Sequence, residues 1–237
     1  MTVLEHLEEL RTRLIKLVIA FLVASAICWF LYDEILELLI RPLRGLPESS
    51  QILTDGNLII TAPQEAFFVR LKVTAYAGFV LALPVILWQA WQFVAPGLFA
   101  REKRFAVPFV VASLALFLAG AAFAFAILPQ ALRVLAAFGG TEIMLLPRAS
   151  DYLSFVLLLV LAFGIAFEMP LVLLSLALVG VISSGTLRRS RRVAWVLILI
   201  LAAVVTPTQD PYTLIIMALP LGLLYEATIL IARLAKR

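Results

Sequence analysis

Three carboxylates stand where their surroundings argue against one. Glu9 and Glu102 are set among basic residues, with Arg11, Arg13 and Lys16 following the first and Arg101, Lys103 and Arg104 around the second. Glu168 lies near the middle of an apolar run, between Phe167 and Met169 with Pro170 just beyond. Acids on a basic face usually form local ion pairs on solvated helix ends, which are worth little. That reading suffices for Glu5 and Glu8. Glu102 differs, because it follows Phe93-Val94-Ala95-Pro96-Gly97-Leu98-Phe99, an apolar turn broken by proline and glycine. A carboxylate held beside such a surface suits a ligand that carries cations next to a hydrophobic segment. Glu168 poses another problem, since a charge at the centre of a bilayer costs about 2.5–3.5 kcal/mol on insertion scales. It must face protein, a polar partner or a water-filled concavity, and is either protonated or paired. Two readings stay open for it: a neutral acid hydrogen-bonded to a neighbouring helix, or a functional intramembrane site.

Signatures of catalysis are missing from the sequence. There is no glycine-rich phosphate loop, no His-Glu-x-x-His zinc pair and no Gly-x-Ser-x-Gly nucleophile turn. The single histidine, His6, sits in a charged segment without a plausible second ligand, and the single cysteine, Cys28, excludes an intrachain disulfide and a cysteine metal cluster. The expectation is a non-enzyme with no cofactor and no metal.

The elements that carry these residues are apolar runs: 14–32, 73–94, 105–128, 152–181, 193–205 and 212–225. A hydrocarbon core of about 30 Å takes roughly 20 helical residues, so four runs are long enough to cross it and the last two are short, suited to a hairpin in thinned lipid or against other protein. At 64% hydrophobic and 14% charged, the 237 residues do not read as a soluble domain. Short loops rich in Lys and Arg stay on the cytoplasmic side. With six spans, one side collects thirteen of the nineteen basic residues, in Arg11–Lys16, Arg101–Arg104, Arg188–Arg192 and Arg233–Arg237, and both termini are therefore cytoplasmic. The same bias accounts for the net charge of +4 without a nucleic-acid partner. The first run continues through Trp29, Phe30 and Tyr32, too long and bulky for a cleaved signal sequence, and is read as a retained span. The fold class is an all-α membrane protein, one polytopic domain over 1–237. An external cap loop, 33–66, carries a short helix near Glu34–Ile40. A second external loop opens at Pro129, read as a helix-stopping proline.

Taken together, the motifs resemble TatC, the C subunit of the twin-arginine protein translocase, over essentially the whole chain. The resemblance is carried by His6-Leu7-Glu8-Glu9-Leu10-Arg11, Pro42-Leu43, Thr61-Ala62-Pro63-Gln64-Glu65-Ala66-Phe67, Phe93-Val94-Ala95-Pro96-Gly97-Leu98, Glu102-Lys103-Arg104, Phe167-Glu168-Met169-Pro170 and Thr206-Pro207 with Asp210. It implies a receptor for signal peptides bearing paired arginines, in a translocase that exports folded proteins across the bacterial cytoplasmic membrane on the proton-motive force. By the same resemblance, Glu9 and Glu102 bind the two arginines, and Phe93, Leu98 and Arg104 belong to the same patch. Glu168 is then the polar point within the membrane, while Pro42 and Asp210 are external positions affecting coupling or assembly. Single-span TatA- and TatB-type subunits are the implied partners, within an oligomeric receptor complex, and the short last spans suit their docking or simply pack on their own bundle. The sequence departs from the family pattern at Arg101, where some members carry histidine, and at Pro211 directly after Asp210.

Guanidinium offers a planar fork to a carboxylate, whereas lysine is a strongly hydrated point charge. Two carboxylates would thus separate paired Arg from paired Lys. The rival reading is a proton-coupled transporter of a small solute using Glu168. It calls for repeated halves and several polar residues at the midplane, which the sequence lacks; a structural scaffold leaves the Phe-x-x-Pro-Gly-Leu string unexplained.

Overall fold

The computed structural model describes residues 3–44, 58–94, 106–138, 148–178, 180–205 and 211–235. Among them the chain forms eight helices: α1 Val3–Phe30, α2 Tyr32–Arg44, α3 Pro63–Val94, α4 Ala106–Phe138, α5 Ala149–Leu178, α6 Ser184–Arg189, α7 Arg191–Val205 and α8 Pro211–Ala235. Helix satisfies every backbone group within one segment, the condition that hydrocarbon imposes on a single crossing chain. Among the described residues, five segments are long and apolar enough to cross a membrane: Leu7–Phe30, Pro63–Phe93, Val107–Val134, Ala149–Ala177 and Leu214–Leu234. Leu22, Phe30, Val111, Ile165 and Val204 are all exposed on helix surfaces. Apolar faces this extensive belong against lipid rather than water. The chain is a multi-pass, all-helical membrane protein.

Sequence features explain the helix ends. α2 begins with Asp33 and Glu34 and closes with Arg41 and Arg44, which matches charge to both ends of its dipole. It buries Leu39, Ile40 and Leu43 along one side. At the start of α3, Pro63 occupies the first helical position, where its missing N–H is harmless. The Glu65 carboxylate there accepts from the Thr61 N–H at 2.8 Å and from its hydroxyl at 3.0 Å. After α5, Gly180 adopts φ +87 and the Val181 N–H donates back to Leu176 O at 3.0 Å, the left-handed turn that glycine permits. Ser183 then caps α6 by accepting from the Thr186 N–H at 3.0 Å.

Two expectations are corrected. Pro129 does not stop α4, which runs on to Phe138; membrane helices tolerate an interior proline when local adjustments re-satisfy the freed carbonyl. The last apolar run is not short either. α7 has 15 residues, but α8 has 25, continuing past Tyr225 through Glu226, which pairs with Arg191.

The chain divides into two compact units. One comprises Met1–Ile40 with Ile60–Ala115, and the other Arg41–Ile59 with Leu116–Arg237. In the first, α1 packs along α3 through small residues. A Cβ at Gly78 would collide with both the side chain and the backbone of Ser25, so the two helices touch backbone to backbone there. In the second unit, the space at Gly164 is filled by the Phe117 ring and that at Gly222 by the Trp195 indole. The Ala149 N–H donates to Ile59 O at 2.9 Å, tying the first residue of α5 to residue 59.

Candidate functional site

The first unit carries polar ties at both ends of its helix pair. At one end Glu9 and Arg13 lie one turn apart on α1, the spacing that brings side chains together on a helix face. Arg13 Nε donates to Glu9 Oε1 at 3.0 Å, and its Nη2 donates to the same oxygen. Its remaining nitrogen, Nη1, reaches across to α3, to Gln92 Oε1 at 2.8 Å and Gln89 Oε1 at 3.3 Å. Both charged side chains are mostly covered, with Glu9 20% and Arg13 15% exposed. Gln89 and Gln92 share a face of α3 by their three-residue spacing. Phe93 follows directly and is half-buried, and Trp91 stacks on Phe109 with ring centroids 4.5 Å apart. The result is a guanidinium clamped among a carboxylate and two amide oxygens beside aromatic surface.

At the opposite end of the pair, the Arg70 guanidinium sits 4.7 Å from the Trp29 ring centroid and 4.8 Å from that of Tyr32. It donates to Trp29 O at 3.0 Å. Burial pushes the Tyr32 phenol above its ordinary range; Arg70 opposes that shift and Asp33 adds to it.

Glu168 lies in the second unit, on α5, and is half-buried. Its neighbour Phe167 is buried in an aromatic group with Phe163 and with Phe123 of α4, whose ring centroids lie 5.4 Å and 5.8 Å from the other two. Pro42 sits in the last turn of α2, next to the fully buried Leu43. Further along the second unit, Tyr225 donates its hydroxyl to Leu187 O at 2.8 Å and Arg191 pairs with Glu226 at 2.5 Å, tying α8 to the α6–α7 segment. Among the described residues no three His, Cys, Asp or Glu side chains converge as a metal site.

Of the residues singled out in the sequence, Glu9 and Phe93 fall in the same unit, at the ends of α1 and α3 that carry the Arg13 clamp. Glu102, Leu98, Arg104 and Asp210 lie outside the described residues. Sequence reasoning missed Arg13, Gln89 and Gln92. Two glutamines three apart in the otherwise apolar stretch Leu87-Trp88-Gln89-Ala90-Trp91-Gln92-Phe93 were the available signal.

Residues 5–220 match the family described as TatC, Sec-independent protein translocase protein. The TatC protein of Aquifex aeolicus is 42% identical over 241 residues, covering 100% of this chain and 97% of that protein. That of Frankia casuarinae is 39% identical over 243 residues, covering 100% of this chain and 67% of the relative. A crystal structure of the twin-arginine translocase receptor TatC superposes with TM-score 0.81 at 41% identity, covering 98% of this chain and 100% of that one. A second, in the detergent DDM, gives TM-score 0.83 at 40% identity over 96% of this chain and 99% of that one.

Proposed function

The chain belongs to the TatC family of Sec-independent protein translocase proteins, and we propose that it is the receptor that recognises the paired arginines of signal peptides on folded cargo. The observation that carries the site assignment is that Glu9 already binds a guanidinium, in a mostly covered position near the start of α1. A carboxylate so placed is chemically suited to arginine, since the guanidinium fork gains hydrogen bonds that an ammonium cannot match. Glu102 is the second acceptor by sequence. Phe93 and Leu98 support the apolar part of the signal, and Arg104 borders the same patch.

The basic clusters support a cytoplasmic location for both termini, with α7 as a short fifth span. That orientation puts the Glu9 end of α1 on the cytoplasmic side, where signal peptides arrive, and α2 with Pro42 on the outer side with Asp210. Transport is driven by the proton-motive force across the bacterial cytoplasmic membrane, with TatA- and TatB-type single-span subunits as partners in an oligomeric complex. The chain itself performs no enzymatic step and takes no cofactor. Glu168 serves as a polar point on the membrane-embedded part of that path. The small-solute transporter has no support in the relatives, which are translocase proteins.

Export of a folded fluorescent reporter tests this reading in cells that have this chain as their only copy. Reporter with an Arg-Arg signal should reach the outside, and reporter with Lys-Lys should stay in the cytoplasm. Export of both alike would overturn the reading.

A further inference from the structure

The segment formed by α6 and α7 has two sides of different chemistry. Its helical hydrogen bonding continues across Ser190, whose N–H donates to Thr186 O at 3.0 Å while its carbonyl accepts from the Ala194 N–H at 2.9 Å. Leu187, Arg191, Trp195, Ile198 and Ala202 therefore fall on one helical face, and that face is turned inward. Leu187, Ile198 and Ala202 are buried, Arg191 pairs with Glu226 of α8, and the Trp195 indole fills the space at Gly222. The outer side begins with Arg188, Arg189 and Arg192, all exposed, and runs on into the exposed Val193, Val196 and Ile200. Arg191 has its carboxylate, but among the described residues none reaches the other three guanidinium groups.

We propose that this outer side is a binding site for an anionic phospholipid, with the phosphate held by Arg188, Arg189 and Arg192 and an acyl chain lying along Val193, Val196 and Ile200. The proposal takes α7 as the short span of the topology given above, so that the arginines stand at the headgroup level. Orientation bias alone asks only for positive charge somewhere in a short loop. Here the charges are unpaired and sit on a fixed support: Ser183 caps α6, Leu187 is buried beneath them, and the Tyr225 hydroxyl donates to Leu187 O at 2.8 Å. Basic residues clustered directly beside a span attract anionic headgroups, and guanidinium forks fit phosphate oxygens in pairs. A soluble phosphate would use the arginines only. The apolar stripe that continues from them along α7 favours an amphiphile, whose head and chain meet both halves at once. The 15 residues of α7 reach about 22 Å, less than a hydrocarbon core of about 30 Å, so headgroups must come inward at this helix, and phosphates bound to the arginines would hold them there.

The test measures binding of phosphatidylglycerol and of phosphatidylcholine to the detergent-purified full chain by native mass spectrometry, with helix content and thermal unfolding checked for each variant. Wild type should prefer phosphatidylglycerol. The triple change Arg188→Gln, Arg189→Gln and Arg192→Gln should weaken phosphatidylglycerol binding by about tenfold or more, given about fivefold for each basic residue near an anionic surface. A charge-matched control, Arg41→Gln with Arg44→Gln and Arg133→Gln, should leave it within about twofold. Replacing Arg188, Arg189 and Arg192 by lysine keeps the charge and the orientation signal but lacks the fork, and should weaken binding by about threefold. That lysine variant decides the matter if the glutamine variant fails to fold. Equal binding of the two lipids by wild type, unchanged phosphatidylglycerol binding in the folded glutamine or lysine variant, an equal loss in the control, or displacement of the lipid by soluble glycerol phosphate at the same concentration would each overturn the proposal.

Discussion

The two units of this protein use polar groups in opposite ways. The first, built on α1 and α3, concentrates them at the ends of its helix pair: the Glu9–Arg13–Gln89–Gln92 clamp at one end and Arg70 between Trp29 and Tyr32 at the other. The second is held mainly by apolar contacts cut to fit around glycines, with its ion pair Arg191–Glu226 half-exposed and Glu168 set beside an aromatic group. The mostly covered Glu9–Arg13 pair lies within α1 and reaches α3 only through the Arg13 hydrogen bonds to Gln89 and Gln92, while desolvation offsets much of its own attraction. Close packing of Gly222 on Trp195 joins helices without that cost. Under the proposed receptor role, the clamp end of the first unit serves binding as well as fastening.

Substitutions can break or sharpen this contrast. The largest effect belongs to Glu9→Gln, which should weaken Arg-Arg peptide binding by about thirtyfold or more, the scale for removing one partner of a desolvated charge pair. Glu168→Gln, tested alongside, should leave that binding within about twofold, and an equal loss in both would erase the distinction between the units. Next comes Gly222→Val. Its new methyl groups meet the Trp195 indole, and thermal unfolding in detergent should show a loss of about 1–3 kcal/mol. Arg70→Gln removes a cation from two aromatic faces and should lower stability by about 1 kcal/mol without changing peptide selectivity. The smallest effect is expected for Arg191→Ala. Its pair with Glu226 is 46% and 37% exposed, so the change should stay under about 1 kcal/mol and shrink further in high salt.

Much of the fold was legible because hydrocarbon leaves a chain few choices. Long apolar runs became α1, α3, α4 and α5, and the short helix expected near Glu34–Ile40 became α2, which runs through Pro42 to Arg44. The misreadings share a cause, which is that a local breaker was given more weight than its tertiary setting. Pro129 looked like a stop and is absorbed within α4. The last apolar run closes at Tyr225 by composition, yet α8 continues through Glu226, which pairs with Arg191, 35 residues earlier. The candidate site was half legible. Glu9 stood out as an acid on a basic face, but its engagement could not be read, since Gln89 and Gln92 lie 76 and 79 residues from Arg13 and only the pairing of α1 with α3 unites them. Pairing of that kind depends on Gly78 letting two backbones meet at Ser25, a contact that no periodicity announces.

The most direct test of the receptor assignment is the affinity of the purified chain for one signal peptide in its Arg-Arg and Lys-Lys forms, in wild type and in Glu102→Gln. The account predicts clear selectivity for Arg-Arg in the wild type and its loss in the variant with the helical fold intact; equal affinity of the wild type for both peptides would contradict it.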